Sequence, residues 1–298
     1  MRPDAQTRFE LGRPLDLALT LGSIGPGAWL RAEEREAWRA TRTPDGVATL
    51  HVRHDGCVAD AEAWGPGARW AVDRAPLLCG QSDDDLGFTP KHPLIGRLHR
   101  GHPGMRLPRT EAVFEALVPA VLAQLVAAAE AHASYRSLVA SMGEPAPGPV
   151  SMKVPPSPQV LSRTPYWAFH QFGIERRRAE VIIRAARSAG RLEEVVTMDR
   201  DSAYRRMQAF PGIGPWTAAK VALVALGDAD SVPVGDYNLP HAVGFALEGT
   251  VRSSDERMLE LLDPYRGHRA RVIRLITVSG IGAPRFGPHA PLRDIVHN

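Results

Sequence analysis

The stretch FPGIGPWTAAK, Phe210 to Lys220, decides the fold of this sequence. Gly212 and Gly214 interrupt the apolar pattern between two helical segments, and glycine adopts positive φ angles without strain. Pro215 lies just before the second segment or at its first position, where its missing N–H is harmless. The stretch therefore predicts a helix, a tight hairpin and a second helix over residues 202–226.

The predicted hairpin has the features of an anion site. Glycines have no side chain, so the backbone N–H groups of the turn can approach a ligand closely. The N-terminus of the following helix adds partial positive charge, which suits a backbone phosphate. Lys220, one turn into that helix, can add a full charge. A Pro-Gly-Ile-Gly stretch alone is equally compatible with a purely structural turn, so its context has to decide.

A single acid, Asp236, follows Trp216 by 20 residues in the segment SVPVGDYNLP. The residues after it, YNLPHAVGFAL, predict a helix, which places Asp236 near a helix N-terminus. The field of that terminus favours the ionised carboxylate, whereas burial would oppose it. From the local sequence, Asp236 is either a helix cap or a functional carboxylate.

The first hundred residues have the sequence pattern expected of β-strands with one or two helices. LDLALTL (15–21) alternates polar with apolar residues, as a strand does. The pairs Asp45-Gly46 and Asp55-Gly56 predict the turns of a hairpin. Residues 67–80 predict a helix that ends at Gly80. We therefore expect an N-terminal α+β domain with an antiparallel sheet over residues 1–105.

Residues 91–110 predict a connector rich in Pro, Gly, His and Arg. Its three histidines lie close together in the sequence, but no acid or cysteine accompanies them to complete a metal site. The histidines are His92, His99 and His102. We therefore interpret the segment as a basic linker.

From Thr110 onward the apolar spacing becomes helical. Thr110 can cap a helix with Glu111 in its first turn, and Pro119 predicts a kink or break. Residues 144–158 predict a proline-rich linker. Further helices are expected at 175–190, 192–198, 202–209, 216–226, 237–247, 255–262 and 266–278. The predicted fold class is α+β: the sheet domain, then an all-helical domain over residues 106–298.

The bulk composition sets limits on function. The chain has 298 residues, a net charge of +3 and a pI of about 9.1, which is compatible with a polyanion partner. Only three of its 36 cationic Lys and Arg residues are lysines, which fits phosphate contacts by arginine or a GC-rich coding bias. Two cysteines are too few for an all-cysteine zinc site or an iron–sulfur cluster. A polar start and the lack of a long apolar run predict a cytoplasmic protein without membrane contact.

FPGIGPWTAAK, taken with VGDYNLPHAV downstream, resembles the helix-hairpin-helix DNA glycosylase superfamily, and within it the alkyladenine type, 3-methyladenine DNA glycosylase II. The resemblance runs from about residue 105 to 280 and is specific at the hairpin and the acid. It implies a base-excision-repair enzyme that hydrolyses the N-glycosidic bond of a damaged, N-alkylated base flipped from double-stranded DNA. It also implies a monomer that requires no cofactor.

The resemblance makes Asp236 the catalytic carboxylate. An anionic carboxylate can stabilise the positive charge that develops at C1′, and it can orient or deprotonate the attacking water. Bifunctional members carry a lysine just after the hairpin, whose amine forms a Schiff base and cleaves the strand. Trp216 occupies that place here, and Lys220, one turn later, is expected to point elsewhere. A monofunctional enzyme is therefore predicted.

The resemblance also implies the rest of the site. Leu125 is the candidate wedge for the gap left by the flipped base, with Gln124 beside it; a core leucine is the alternative. The expected DNA contacts at the hairpin are Gly212, Ile213, Gly214, Thr217 and Lys220. The expected base pocket consists of Trp216, Tyr237, Tyr166, Trp167 and Phe169, whose rings can stack on a cationic base, with Phe172 in the core. The backbone carbonyls of Gln208, Phe210 and Ile213 would hold a structural monovalent cation, Na⁺ or K⁺.

One segment departs from the family pattern. Where alkyladenine enzymes carry aromatic residues on the closing helix, this chain has RVIRLITV with Arg274. If Arg274 faced the pocket, it would repel a cationic base. Two alternatives therefore stay open. The chain could be a glycosylase for oxidised or otherwise modified bases, or a non-catalytic helix-hairpin-helix DNA-binding protein. The arginine-rich helix 174–191 fits either phosphate contacts or a solvated face.

Overall fold

An antiparallel sheet forms from the N-terminal strands. The computed structural model describes residues 1–25 and 27–282; residues 283–298, the end of the predicted helical domain, lie outside the described part. Five strands pair in the order β1-β5-β4-β3-β2. They are β1 (Ala5–Glu10), β2 (Leu30–Ala32), β3 (Glu36–Thr43), β4 (Gly46–His54) and β5 (Val58–Trp64).

The predicted hairpin turns are confirmed. Gly46 and Gly56 have φ angles of 128° and 107°, which glycine tolerates and other residues rarely adopt. The Asp55 carboxylate accepts hydrogen bonds from the N–H groups of Cys57 and Val58, both at 2.9 Å. The predicted helix is also present as α2 (Ala68–Leu78), which packs on the sheet and is followed by Gly80 at φ 69°.

Two N-terminal segments predicted to be non-helical are helices, because side chains cap them. Residues 15–21 contain α1 (Leu17–Leu21), whose first turn is capped by the Asp16 carboxylate accepting from Leu19 N–H at 2.8 Å. The predicted connector contains α3 (Pro93–Gly101), where His92 Nδ1 accepts from Leu94 N–H at 3.2 Å. Local capping thus outweighs strand-like alternation at α1 and a loop-like composition at α3.

The three connector histidines serve this local structure. His102 Nδ1 donates to the Leu98 carbonyl at 2.8 Å, and the His99 ring lies edge-on to Phe88 with centroids 5.1 Å apart. Burial lowers the pKa of His99. Within residues 1–25 and 27–282, no group of three or more His, Cys, Asp or Glu side chains is placed to hold a metal ion.

The rest of the described chain is mainly helical and confirms the helices predicted from residue 175 onward. The proline-rich segment is not a free linker, because its strands β6 (Glu144–Pro145) and β7 (Lys153–Val154) pair, and β7 contacts β3. A π-helical turn, Ala222–Leu226, continues α10. The helices are α4 (Val113–Leu122), α5 (Ala128–Met142), α6 (Pro158–Arg163), α7 (Arg176–Arg187), α8 (Ala189–Glu193), α9 (Arg200–Gln208), α10 (Pro215–Val221), α11 (Leu239–Glu248), α12 (Asp255–Leu262) and α13 (Arg269–Val278). No helix of the described ranges is long and apolar enough to cross a membrane.

Helix α4 differs from its prediction at both ends. Pro119 lies inside it without breaking it, and the chain leaves the helix after Leu122 instead. Thr110 does not cap it. The Glu193 carboxylate, distant in sequence, accepts from the N–H groups of Val113 and Phe114 at 2.9 and 2.8 Å. The cap is therefore tertiary, which local sequence does not reveal.

Two apolar cores organise the molecule. The first joins the sheet and α2 to α4, α5, α7 and α10, and the second joins α3 to α11, α12 and α13. The helix α3, which precedes the predicted domain boundary at residue 105, thus packs with the C-terminal helices. The boundary itself stays a prediction.

A buried ion pair connects the segment after α2 to α13. Arg271 donates to Asp83 at 2.5 Å, and both side chains are 1% exposed. Asp83 also accepts from Arg13 at 3.2 Å and from Leu107 N–H at 2.9 Å. Because a buried charge is costly without its partner, this cluster holds the sheet region and the C-terminal helices in one arrangement.

We expect Glu193→Ala to lower the free energy of unfolding by about 1–3 kcal/mol, because two N–H groups at the start of α4 lose their acceptor. Urea denaturation monitored by circular dichroism measures this. Glu194→Ala is the matched control, since that exposed side chain pairs only with Arg206 at the surface. Equal effects of the two substitutions would contradict the tertiary cap.

Candidate active site

A cleft of about 1370 Å³ opens between the two cores. Helices α4, α5 and α10 supply one side, while the loop before α11 and helix α13 supply the other. The hairpin between α9 and α10 lies on its edge. The structure therefore brings the hairpin, Asp236 and Arg274 to a single cavity.

Close packing determines the shape of the hairpin. Gly212 has φ 94°, and a Cβ at this position would come within 2.3 Å of Val181 Cγ2. Ile213 is 3% exposed and anchors the turn in the first core. Gly214 has an extended conformation, and a Cβ there would meet nothing within 4 Å. Gly212 is thus required by the fold, whereas Gly214 leaves the outer face of the turn open.

Gln124 holds the hairpin in place. Its Nε2 donates to the Gly212 carbonyl at 2.9 Å and to Thr217 Oγ1 at 2.8 Å. The Gln124 amide is thus engaged within the protein, and Thr217 is 2% exposed. Contact of these two residues with DNA stays a prediction.

Asp236 faces the cleft with its carboxylate fixed by three hydrogen bonds. Oδ1 accepts from the N–H groups of Asn238 and Leu239 at 2.9 and 3.0 Å, and Oδ2 accepts from Trp216 Nε1 at 2.9 Å. Asp236 therefore caps the start of α11 and also lines the cleft. The helix-cap alternative is confirmed by these bonds, and the role of Asp236 as a functional carboxylate stays a prediction.

Lys220 lines the same cleft, so the expectation that it points elsewhere is wrong. It lies four residues after Trp216 on α10, and residues at that spacing share a helix face. Its Nζ is 5.9 Å from the centroid of the Trp216 ring. The side chain is exposed to solvent in the cleft. Desolvation by the surrounding protein nevertheless lowers the pKa of the amine, and the nearby Asp236 carboxylate opposes that shift. The helical spacing alone could have revealed this position.

Leu125 is not a core residue. It lies in the turn between α4 and α5, is 82% exposed and has φ 58°, a left-handed conformation that is strained for leucine. Tyr237 also borders the cleft and is 85% exposed. Both side chains therefore project from the rim of the cleft rather than line a closed pocket.

The aromatic segment 166–172 is placed differently from its prediction. Tyr166, Trp167 and Phe169 are not among the residues that line the cleft. Phe169 and Phe172 are buried in the first core, Trp167 is 63% exposed, and Arg176 covers the Tyr166 ring at 4.7 Å. A 3₁₀ turn that packs some of its rings into the core has the same density of aromatic residues in its sequence as a segment that lines a binding pocket. Of the predicted pocket, only Trp216 and Tyr237 lie at the cleft.

The arginines of helix α7 have different surroundings, and phosphate contact by this helix stays a prediction. Arg178 is 2% exposed and donates to the Leu122 carbonyl at 2.8 Å, whereas Arg177 lines the cleft. Arg184 donates to the Pro211 carbonyl of the hairpin at 3.1 Å. The Phe210 carbonyl accepts from Ile213 N–H at 3.0 Å, and the monovalent-cation site at Gln208, Phe210 and Ile213 stays a prediction.

Comparison with known proteins identifies similar sequences among DNA glycosylases. Over 188 residues the chain is 31% identical to DNA-3-methyladenine glycosylase 2 of Escherichia coli, a match that covers 62% of this chain and 65% of that protein. Over 196 residues it is 26% identical to DNA-3-methyladenine glycosylase of Bacillus subtilis, covering 62% and 64%. The chain thus spans slightly less than two thirds of the length of each relative. No model of a known protein family matches the chain.

Solved structures extend the likeness to almost the whole chain. The 3-methyladenine DNA-glycosylase from Archaeoglobus fulgidus superimposes with a TM-score of 0.76 at 20% identity, covering 92% of this chain and 98% of that one. The 8-oxoguanine glycosylase/lyase from Clostridium acetobutylicum gives 0.66 at 13% identity, covering 94% and 98%. The predicted fold class is confirmed: the chain has the fold of helix-hairpin-helix glycosylases.

We expect Gly212→Ala to lower the free energy of unfolding by about 1–3 kcal/mol, because alanine is strained at this φ and its Cβ would collide with Val181. Gly214→Ala, two residues away, should leave the unfolding midpoint nearly unchanged. Parallel thermal and urea denaturation of the two variants measures the difference. Equal stability of the two variants would show that the hairpin is not held by this contact.

Proposed function

We propose that this chain, a homologue of the 3-methyladenine DNA glycosylases with their fold, hydrolyses the N-glycosidic bond of a damaged base flipped out of double-stranded DNA. The observation that carries the proposal is the Asp236 carboxylate, which is fixed by three hydrogen bonds and faces a cleft beside an open glycine hairpin. We further propose that the protein acts as a cytoplasmic monomer.

The chemistry follows from the position of Asp236. As the bond from C1′ to the base nitrogen breaks, positive charge develops on the sugar, and a fixed carboxylate stabilises that charge. Asp236 also orients the attacking water and accepts its proton as the water oxygen forms the new bond to C1′, while the base leaves with the electrons of the broken bond and, if it departs as an anion, takes up a proton. Products are a free base and an abasic site. Trp216 keeps the carboxylate from turning away from the sugar.

The hairpin supplies the grip on DNA. Gly214 leaves room for a phosphate against the backbone N–H groups of the turn, and such contacts position DNA without selecting a sequence. Arg177 in the cleft adds charge. Of the predicted hairpin contacts, Gly212, Ile213 and Gly214 would act through their backbone, because the Ile213 side chain is buried.

Leu125 is the proposed wedge. Its apolar side chain is 82% exposed and its backbone conformation is strained, and both features destabilise the free protein. Insertion between bases would bury this side chain and fill the gap left by the flipped nucleotide. Its place on the rim of the cleft that contains Asp236 supports this role.

The names of the relatives suggest N-alkylated bases as the damaged substrates. The fold does not select the base, because the similar Clostridium structure is that of an 8-oxoguanine glycosylase/lyase. No cofactor is needed for the hydrolysis we propose, and a monovalent cation at the hairpin would have only a structural role.

We expect Asp236→Asn to reduce base release by at least about 100-fold, because the amide does not stabilise the charge on the sugar. Single-turnover release of bases from duplex DNA treated with methylating agents or with oxidants measures this, with DNA affinity followed separately. Asp201→Asn, at an exposed position on α9, is the control and should retain activity. Full activity of Asp236→Asn would overturn the catalytic assignment. Binding of damaged duplexes by the wild type without release of any base would favour the non-catalytic alternative.

We expect the enzyme to leave the DNA strand intact, because Trp216 occupies the position after the hairpin where an attacking amine is needed. Electrophoresis of product DNA without alkali should show no cleavage, and borohydride should trap no protein–DNA adduct. Since Lys220 also faces the cleft, Lys220→Met is the decisive comparison. An adduct formed by the wild type and lost in this variant would prove lyase chemistry.

A further inference from the structure

Two cationic side chains share the inner wall of the cleft. Lys220 comes from α10 and Arg274 from α13, so the two sides of the cleft each contribute one. No carboxylate of the described residues lies within 4.0 Å of either cationic group. Both charges therefore line the cavity without an ion-pair partner in the part of the chain that the structure describes.

Arg274 keeps hydrogen-bonding capacity free. Its Nη2 donates to the Leu19 carbonyl at 2.8 Å, while its buried Nε has no partner among the described residues. Burial lowers the pKa of this guanidinium, yet arginine retains its charge at neutral pH. The buried Nε is out of reach of a ligand, so the donors left for one are those of the Nη1 group, which makes no hydrogen bond to the described residues.

Lys220 lies between opposite influences. Desolvation lowers the pKa of its amine, the Asp236 carboxylate raises it, and the charge of Arg274 lowers it. Trp216, which binds Asp236, and Lys220 lie one turn apart on the same face of α10, and both line the cleft. The Lys220 amine is therefore placed beside the proposed reaction site, where a base that enters the cleft can meet it.

We propose that Lys220 and Arg274 are specificity-determining residues that donate hydrogen bonds to the oxygen or nitrogen acceptors of a base without fixed positive charge. The proposal rests on the glycosylase function proposed above and narrows its substrates. A base with ring carbonyls satisfies the unpaired donors, whereas a permanently cationic base meets two like charges. Alkylated bases that remain neutral stay within this class, but bases alkylated to a cation do not.

The test compares three bases in otherwise identical duplexes: 8-oxoguanine, xanthine and 7-methylguanine, which carries a fixed positive charge. A 2′-fluorinated sugar prevents hydrolysis, so fluorescence anisotropy reports affinity alone, and matched unfluorinated duplexes report base release. We expect the wild type to bind 8-oxoguanine or xanthine at least about tenfold more tightly than 7-methylguanine. Lys220→Met and Arg274→Met should each shrink this ratio by at least about threefold.

Lys91→Met is the matched control. It removes the same charge from an exposed position outside the cleft and should leave the ratio between the bases unchanged. The exposed position of Lys220 in the cleft makes its variant informative even if Arg274→Met does not fold.

Three results separate the possibilities. Tighter binding of 7-methylguanine by the wild type would overturn this inference and leave the glycosylase function standing. An equal loss of affinity for all duplexes in Lys220→Met would overturn it too, by showing that the amine contacts a phosphate. Absence of base release from any duplex would refute the proposed function, while the affinity ratio would still decide whether the two cations select the base.

Discussion

The hydrogen bond from Trp216 to Asp236 connects the two sides of the cleft. Trp216 lies in the first turn of α10, the helix that follows the hairpin, and Asp236 precedes α11, a helix of the second core. The bond therefore fixes the distance between the surface proposed to grip the DNA backbone and the carboxylate proposed to act on the sugar. A shift of either core relative to the other would move the acid away from its target, and a small misplacement is enough to lose much of a catalytic effect. Gln124 supports the same geometry from the opposite side by holding the hairpin to the turn after α4.

Two residues at the cleft combine exposure or burial with an unfavourable local state. Leu125 has a left-handed backbone and an exposed apolar side chain, and Arg274 has a buried nitrogen without a partner among the described residues. Comparable features occur outside the cleft, where Glu111 has φ 50° and the buried Nε of Arg271 has no partner among the described residues. Strain alone therefore does not mark the site, and the proposed role of Leu125 depends on its position at the rim together with its exposure.

Several features that depend on local chemistry were predicted. Paired turn residues predicted the sheet hairpins, because these signals lie within a few residues of each other. Asp236 lies 20 residues beyond Trp216, and the resemblance connected it with the hairpin. Helices α1 and α3 were missed because local caps outweigh a strand-like alternation and a loop-like composition. The other errors concern features set by tertiary contacts: Glu193 caps α4 from a distance, and Phe169 is buried in the core instead of lining the cleft. Lys220 is a different case, since its helical spacing from Trp216 already placed it on the cleft face.

The buried Asp83–Arg271 pair has a consequence for how distant mutations affect the cleft. Removal of the Asp83 carboxylate would leave the Arg271 charge without its partner in an apolar interior. Arg271 lies on α13 with Arg274, whereas Asp83 lies 188 residues before Arg271 and outside the cleft. The position of a cleft side chain therefore depends on a carboxylate from the N-terminal part of the chain.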